Sequence, residues 1–237
     1  MEISRHTPEF VLRRLAAHPV APDAPIADET AAAVLWADIS GFTRLTERLV
    51  AEGPMGVETL TEYLNTYFTR LVAIIHAHGG DIVQFEGDAV LCVWRMEGDA
   101  SLDLLALRAL QCAADIQRQM RDYPVGDGVT LSQRVAVGAG QMRFLWVGGV
   151  LARWTVVAAG DPLPQVQRIS HSLPPGEVVA SPEVWALVGA RCRGRVLPGG
   201  AAHVQAVTDA VAPRALERTL PSAEAERAVR VFLAGAV

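Results

Sequence analysis

An apolar run from Val34 to Ala37 meets one carboxylate, Asp38, breaks at Ser40 and Gly41, and gives way to a helical period. Phe42, Leu45 and Leu49 share one face of that period, with Arg44, Glu47 and Arg48 on the other. The pattern predicts a buried strand over 32–38 and a helix opening beside its end. Upstream, Pro8 starts a short helix over 8–17, and a Pro/Ala/Asp linker occupies 19–25. Downstream, Gly53-Pro54 breaks the chain before a helix over 55–78, whose apolar face carries Leu60, Leu64, Phe68, Leu71, Ile74 and Ile75. His76 and His78 close that helix two residues apart, so they face different directions and read as C-terminal helix residues, not metal ligands.

Gly79-Gly80 introduces two short apolar runs, 81–86 and 89–94, joined by Gly87-Asp88, which predicts a hairpin with a second lone carboxylate at its tip. A helix over 99–121 follows, then a turn-rich stretch at 123–128. Strands are expected at 132–140, 142–147, 153–159 and 177–180, with helices over 161–168, 182–188 and 223–237. From residue 190 Arg, Gly and Pro accumulate and no period dominates. This order describes an α+β domain with a mostly antiparallel sheet covered by helices. It divides the chain into a helix and linker (1–30), a main domain (31–190) and a C-terminal extension (191–237).

Composition narrows the chemistry. Of the 237 residues 51% are apolar, enough for a substantial core, and the net charge of −5 gives no reason to expect a nucleic-acid partner. All 21 basic residues are arginine. Without lysine there is no Walker-type phosphate loop and no Schiff-base chemistry. A GxGxxG after a strand and a GxSxG are also missing, which argues against a dinucleotide fold and a serine hydrolase. Cys92, Cys112 and Cys192 are scattered, so a reduced, cytoplasmic setting is expected. The start at Met1 carries no signal-peptide core. The most membrane-like window, 144–160, is split by Gly148-Gly149 and Arg153, and predicts two strands with a glycine turn rather than a span.

Asp38 lies beside a helix N-terminus, where free N–H groups and the helix dipole favour an anion, and Asp88 lies at a hairpin tip. If their strands are neighbours, the two carboxylates converge. Such a pair suits divalent cations that polarise a phosphoryl group, and Mg²⁺ typically takes one or two carboxylates plus substrate phosphates.

The stretch Asp38 to Thr43, with Gly79 to Asp81 and Phe85 to Ala89, resembles the class III nucleotidyl cyclase catalytic domain, a ferredoxin-like fold. It is most similar to the soluble, bicarbonate-responsive adenylyl cyclase branch and its bacterial relatives, over residues 34–188. The resemblance implies conversion of ATP to 3′,5′-cyclic AMP and pyrophosphate with two Mg²⁺ or Mn²⁺ ions. It implies that Asp38, Asp88 and the Ile39 carbonyl hold metal. The backbone of Ser40, Gly41, Phe42 and Thr43 would cradle the β- and γ-phosphates, and Arg134 would contact the triphosphate. A solvated strand-end arginine is the alternative for Arg134.

Departures from the family pattern are equally specific. Where the family carries a purine-reading lysine, an Asp or Thr that selects the base, and a transition-state asparagine, this chain has Gln84, Val157 and Pro164. Only the arginine four residues later remains, as Arg168. Proline offers no backbone donor and valine no polar group. Basic residues that hold bicarbonate in the soluble branch correspond to Gln84 and Gln167, with Arg168 one position on. The pattern resembles the first half of a tandem cyclase, in which a second cyclase domain supplies the purine and transition-state residues. The 226–237 stretch resembles the helix that introduces such a half, and predicts that the chain is the N-terminal piece of a longer protein. A non-catalytic cyclase-homology module that dimerises or senses a ligand is the other reading.

Overall fold

The computed structural model describes residues 7–20, 22–126, 128–150, 153–170 and 173–233. The expectations about the first six residues and about 234–237 lie outside that range. The N-terminal helix α1 (Glu9–Ala17) precedes a long strand β1 (Ile26–Ser40). Helices α2 (Phe42–Ala51) and α3 (Pro54–Ala77) follow, then the hairpin β2 (Asp81–Glu86) and β3 (Ala89–Arg95), then α4 (Leu102–Met120). After β4 (Tyr123–Gly126) come β5 (Val129–Gly148), β6 (Trp154–Gly160) and α5 (Pro162–Ser170). The chain continues through β7 (Val178–Ala180), α6 (Pro182–Val188), β8 (Cys192–Val196), β9 (Ala202–Val207) and α7 (Ala223–Leu233).

The sheet runs β2-β3-β1-β5-β7-β9-β8, with β4 and β6 also paired to β5. Pairing is antiparallel except between β5 and β7. Its first four strands, with α2/α3 and α4 as crossovers, give the β-α-β-β-α-β order of a ferredoxin-like unit. The expected α+β class and helix-covered sheet are what the chain adopts.

Alternation along β1 sorts the core into two faces. Ala33, Leu35, Ala37 and Ile39 bury against the layer of α2, α3, α4 and α6. Ala32 and Val34 turn the other way, to a second cluster with Phe10 and Leu12 of α1, Val166 of α5 and Val229 of α7. Asp38 has the parity of this second face, and so does Arg134 across the ladder. Both side chains are partly exposed at that end of β1.

Several elements differ from expectation. β1 begins at Ile26, six residues early, because Ile26 to Ala31 pair with Trp146 to Gln141. The two strands expected at 132–140 and 142–147 are one, since the ladder to β1 continues through Gly140 and Gln141 and satisfies their backbone. The 123–128 stretch forms β4, folded back on β5. Past residue 190 the sheet gains β9 and the edge strand β8, whose pairing shifts register between Arg193 and Gly194. Exposed arginines and a bulge are devices of edge strands, and they erase the period-2 signal. The 144–160 window is the end of β5 and β6, and Gly149 N–H donates to the Arg153 carbonyl at 2.9 Å. Among the described residues no helix is long and apolar enough to cross a membrane.

Candidate metal and triphosphate site

Asp38 sits at the end of the β1–β3 ladder, opposite Ala89, so the adjacent turn brings Asp88 beside it. The Ile39 N–H donates to the Asp88 carbonyl at 3.4 Å and ties the hairpin tip to β1. Gly87 holds φ at +65°, the left-handed region that lets this two-residue turn close. β1 and β3 are thus neighbours, as the convergence of the two carboxylates requires.

After Ser40 the chain turns through Gly41, with φ at +95°, into α2. No side chain caps α2, and no acidic residue lies in its first turn. The Leu45 N–H is the first to bond back, to the Gly41 carbonyl at 3.1 Å. The N–H groups of Phe42, Thr43 and Arg44 therefore precede the helical ladder, where an anion is favoured.

Asp38, Ile39, Ser40, Gly41, Phe42 and Thr43 line one open cavity of about 640 Å³, together with Asp88 and Arg134. Arg44, Thr130, Ser132 and Pro175 complete the wall. These four were not singled out from sequence. Arg44 reads there only as the polar face of α2, and Thr130, Ser132 and Pro175 come from segments whose approach to β1 depends on the sheet.

Arg134 stands directly opposite Asp38 on β5, and its Nη1 lies 3.4 Å from Asp38 Oδ2. It is thus a cross-strand partner of the carboxylate, not a free strand-end side chain. Burial pushes the Asp38 carboxyl above its ordinary value, and the Asp88 charge pushes it further, against the pull of Arg134. Two carboxylates share the cavity, and of its two lining arginines, Arg44 and Arg134, only Arg134 pairs with one of them. A divalent cation between Asp38 and Asp88 would relieve their mutual repulsion, so the donor set fits Mg²⁺ or Mn²⁺. Among the described residues no cluster of three or more His, Cys, Asp or Glu side chains forms a protein-only metal cage.

Beneath Asp38 a buried set of polar side chains is linked by hydrogen bonds. Gln133, paired with Ile39 across the ladder, donates from Nε2 to the Tyr67 hydroxyl, and both residues are buried. Gln117 Nε2 donates to the Gln133 carbonyl at 2.9 Å. His78 instead pairs with Asp115, Nε2 to Oδ2 at 2.9 Å, and burial lowers the His76 pKa. Neither histidine lines the cavity.

Arg168 stands apart. It is exposed on α5 and lines a different cavity of about 370 Å³ with Gln165, Ile169 and Pro182. Pro164 and Gln167 are exposed on the same helix, Val157 is 45% exposed on β6, and Gln84 on β2 bonds Glu86. None of these lines the Asp38 cavity.

Asp81, of the Gly79-Gly80-Asp81 motif, has a structural role. Its carboxylate accepts the N–H groups of Glu9 at 2.8 Å and Phe10 at 2.9 Å, capping α1 from 72 and 71 residues away. Burial pushes its pKa up to about 6 despite those bonds.

No protein-family model matches the chain. Over 189 residues it is 26% identical to adenylate cyclase type 10 of Rattus norvegicus and of Homo sapiens, which covers 79% of this chain. The chain spans 11% of the length of those relatives. Among solved structures, the guanylyl cyclase Cya2 is 25% identical with a TM-score of 0.62, covering 76% of this chain and 94% of that one. The adenylyl cyclase CyaB from P. aeruginosa is 23% identical with a TM-score of 0.62, over 76% and 95% of the two chains. The chain is therefore homologous to adenylate cyclase type 10 and has the fold of a class III nucleotidyl cyclase catalytic domain.

Proposed function

We propose that this chain is the metal-bearing half of an adenylyl cyclase, converting ATP to 3′,5′-cyclic AMP and pyrophosphate with a second cyclase domain. The observation that carries the reading is the single cavity holding Asp38, Asp88, the Ile39 backbone and the open α2 N-terminus, with Arg134 at its edge. ATP rather than GTP is proposed from the likeness to adenylate cyclase type 10, since the solved relatives include guanylyl cyclases.

Asp38, Asp88 and the Ile39 carbonyl would hold two divalent ions. Those ions, when bound, would polarise the α-phosphate and lower the pKa of the attacking ribose 3′-hydroxyl. The N–H groups of Phe42, Thr43 and Arg44 would hold the terminal phosphates. Arg134 offers donors to a phosphate oxygen once Asp38 is engaged elsewhere. Purine recognition and transition-state contacts would come from the second domain, because Gln84, Val157 and Pro164 supply neither here. Arg168, on its separate cavity, would serve a composite site only across the pairing face. The cytoplasm is the proposed setting.

Val157 and Pro164 also favour a second reading, a cyclase-homology module that pairs or senses a ligand without turnover. Cyclic AMP assays separate the two. The chain alone should form negligible cyclic AMP from ATP and Mg²⁺. It should gain turnover when mixed with a cyclase domain that carries the purine-reading and transition-state residues. Robust turnover by the chain alone would overturn the half-site assignment, and no turnover in any mixture favours the module.

A further inference from the structure

A second cavity, of about 100 Å³, lies at the far end of the β2–β3 hairpin from Asp88, between α1, the start of α4 and residues 214–217. Arg95, Arg108 and Arg214 all reach it. Among the described residues, none of these three guanidiniums has a hydrogen bond or an ion pair. Arg95 lies instead against the rings of Phe10 and Phe144, with Cζ 5.0 and 4.8 Å from their centroids. The Nε atoms of Arg95 and Arg108 are shielded from water with no partner. Native structures rarely leave buried donors unpaired, and an ion or ordered water is a common reason.

The carboxylates lining the same cavity are mostly committed elsewhere. Asp81 accepts the two α1 N–H groups, Glu9 accepts from Thr219 at 3.0 Å, and Glu97 pairs with Arg13 at 2.6 Å. Glu217 is the remaining acid, and it is exposed. Arg95, Arg108 and Arg214 therefore line the cavity with no direct ion pair, although the charges of Asp28, Glu97 and Asp81 act on Arg95 through space. The segment bearing Arg214 is itself fixed, since the Leu216 N–H donates to the His76 carbonyl at 2.7 Å.

We infer that this cavity binds a small oxyanion, a phosphate or a carboxylate, held by Arg95, Arg108 and Arg214. Guanidinium forks match both groups, and the volume admits only a small polyatomic anion with a few waters. The site is built from residues outside the Asp38 cavity and does not depend on the cyclase reading.

The test is calorimetric titration of the full chain in EDTA, with inorganic phosphate and separately with acetate, at an ionic strength held constant with chloride. Saturable binding of either anion is expected, and the arm that binds identifies the class. Arg214→Gln, an exposed change that leaves the fold intact, should weaken that binding about tenfold. Arg108→Gln should weaken it as much. Arg134→Gln, in the other cavity, should leave it unchanged. Absence of saturable binding by both anions would overturn the inference. So would binding that survives in Arg214→Gln but is lost in Arg134→Gln, since that places the anion at the α2 N-terminus.

Discussion

Asp38 and Arg134 face each other across the β1–β5 ladder, with Arg134 Nη1 3.4 Å from Asp38 Oδ2. The arginine therefore does two opposed things. It pairs with a carboxylate that a metal ion would use, and on the proposed reading it would offer donors to the phosphates that accompany the metal. Arg134→Ala should weaken ATP·Mg²⁺ binding by about tenfold or more, the scale of one charge-assisted hydrogen bond. The same change should leave Mn²⁺ binding without nucleotide equal or tighter. Paramagnetic titration of free Mn²⁺ beside calorimetry with ATP separates the two effects. Equal losses in both would mean that Arg134 only shapes the site.

Gly41 is a backbone requirement of the turn into α2. A Cβ added there meets Leu131 Cδ2 at 3.6 Å and the Thr130 carbonyl at 3.7 Å, which is ordinary contact. The cost of Gly41→Ala comes from φ at +95°, about 1–2 kcal/mol for a non-glycine residue. Urea denaturation should show a loss of that size, and nucleotide binding should weaken as the α2 N-terminus shifts.

Tyr67 and Gln133 support the floor of the site from the buried side. Tyr67→Phe removes the acceptor of the Gln133 amide and leaves a buried donor unpaired, so stability should fall by about 1–3 kcal/mol. Gln133→Leu in the same background should then cost less than it does alone, as coupled partners require. Denaturation midpoints of the two single variants and the double variant test this.

Asp81 gives the fold a pH dependence. Its folded pKa is raised from 3.8 to about 6, chiefly by burial. The folded chain therefore keeps a proton on Asp81 that the unfolded chain has released. The contribution of this group to stability is largest below pH 3.8 and falls as pH rises to about 6. Asp81→Asn lacks the titration, so the stability of the wild type relative to this variant should decline across that window. A difference independent of pH would show that Asp81 is not held this way.

Much of this site was legible along the chain because its parts are local. A strand, a lone carboxylate, a glycine turn and a helix start are contiguous from Val34 to Thr43, and Gly87-Asp88 marks a hairpin tip without reference to anything distant. The long reach of β1 and the unbroken β5 were not legible, since each persists only because the other strand satisfies its backbone over fifteen residues from Ile26↔Trp146 to Ser40↔Ser132. Arg134 stayed ambiguous for the same reason, as its meaning depends on the register that sets it opposite Asp38. Asp81 was legible as part of a motif but not as the cap of α1, because the helix it caps is 72 residues away. The edge strand β8 was hidden by its exposed arginines and its bulge.

The central claim is that Asp38 and Asp88 together form a metal-dependent nucleotide site in this chain. Calorimetric titration of ATP in the presence of Mg²⁺ into the wild type, Asp38→Ala and Asp88→Ala tests it most directly, with a repeat in EDTA. The account predicts binding by the wild type that depends on Mg²⁺ and is lost in either variant. Nucleotide binding that persists in both variants, or that is indifferent to EDTA, would contradict it.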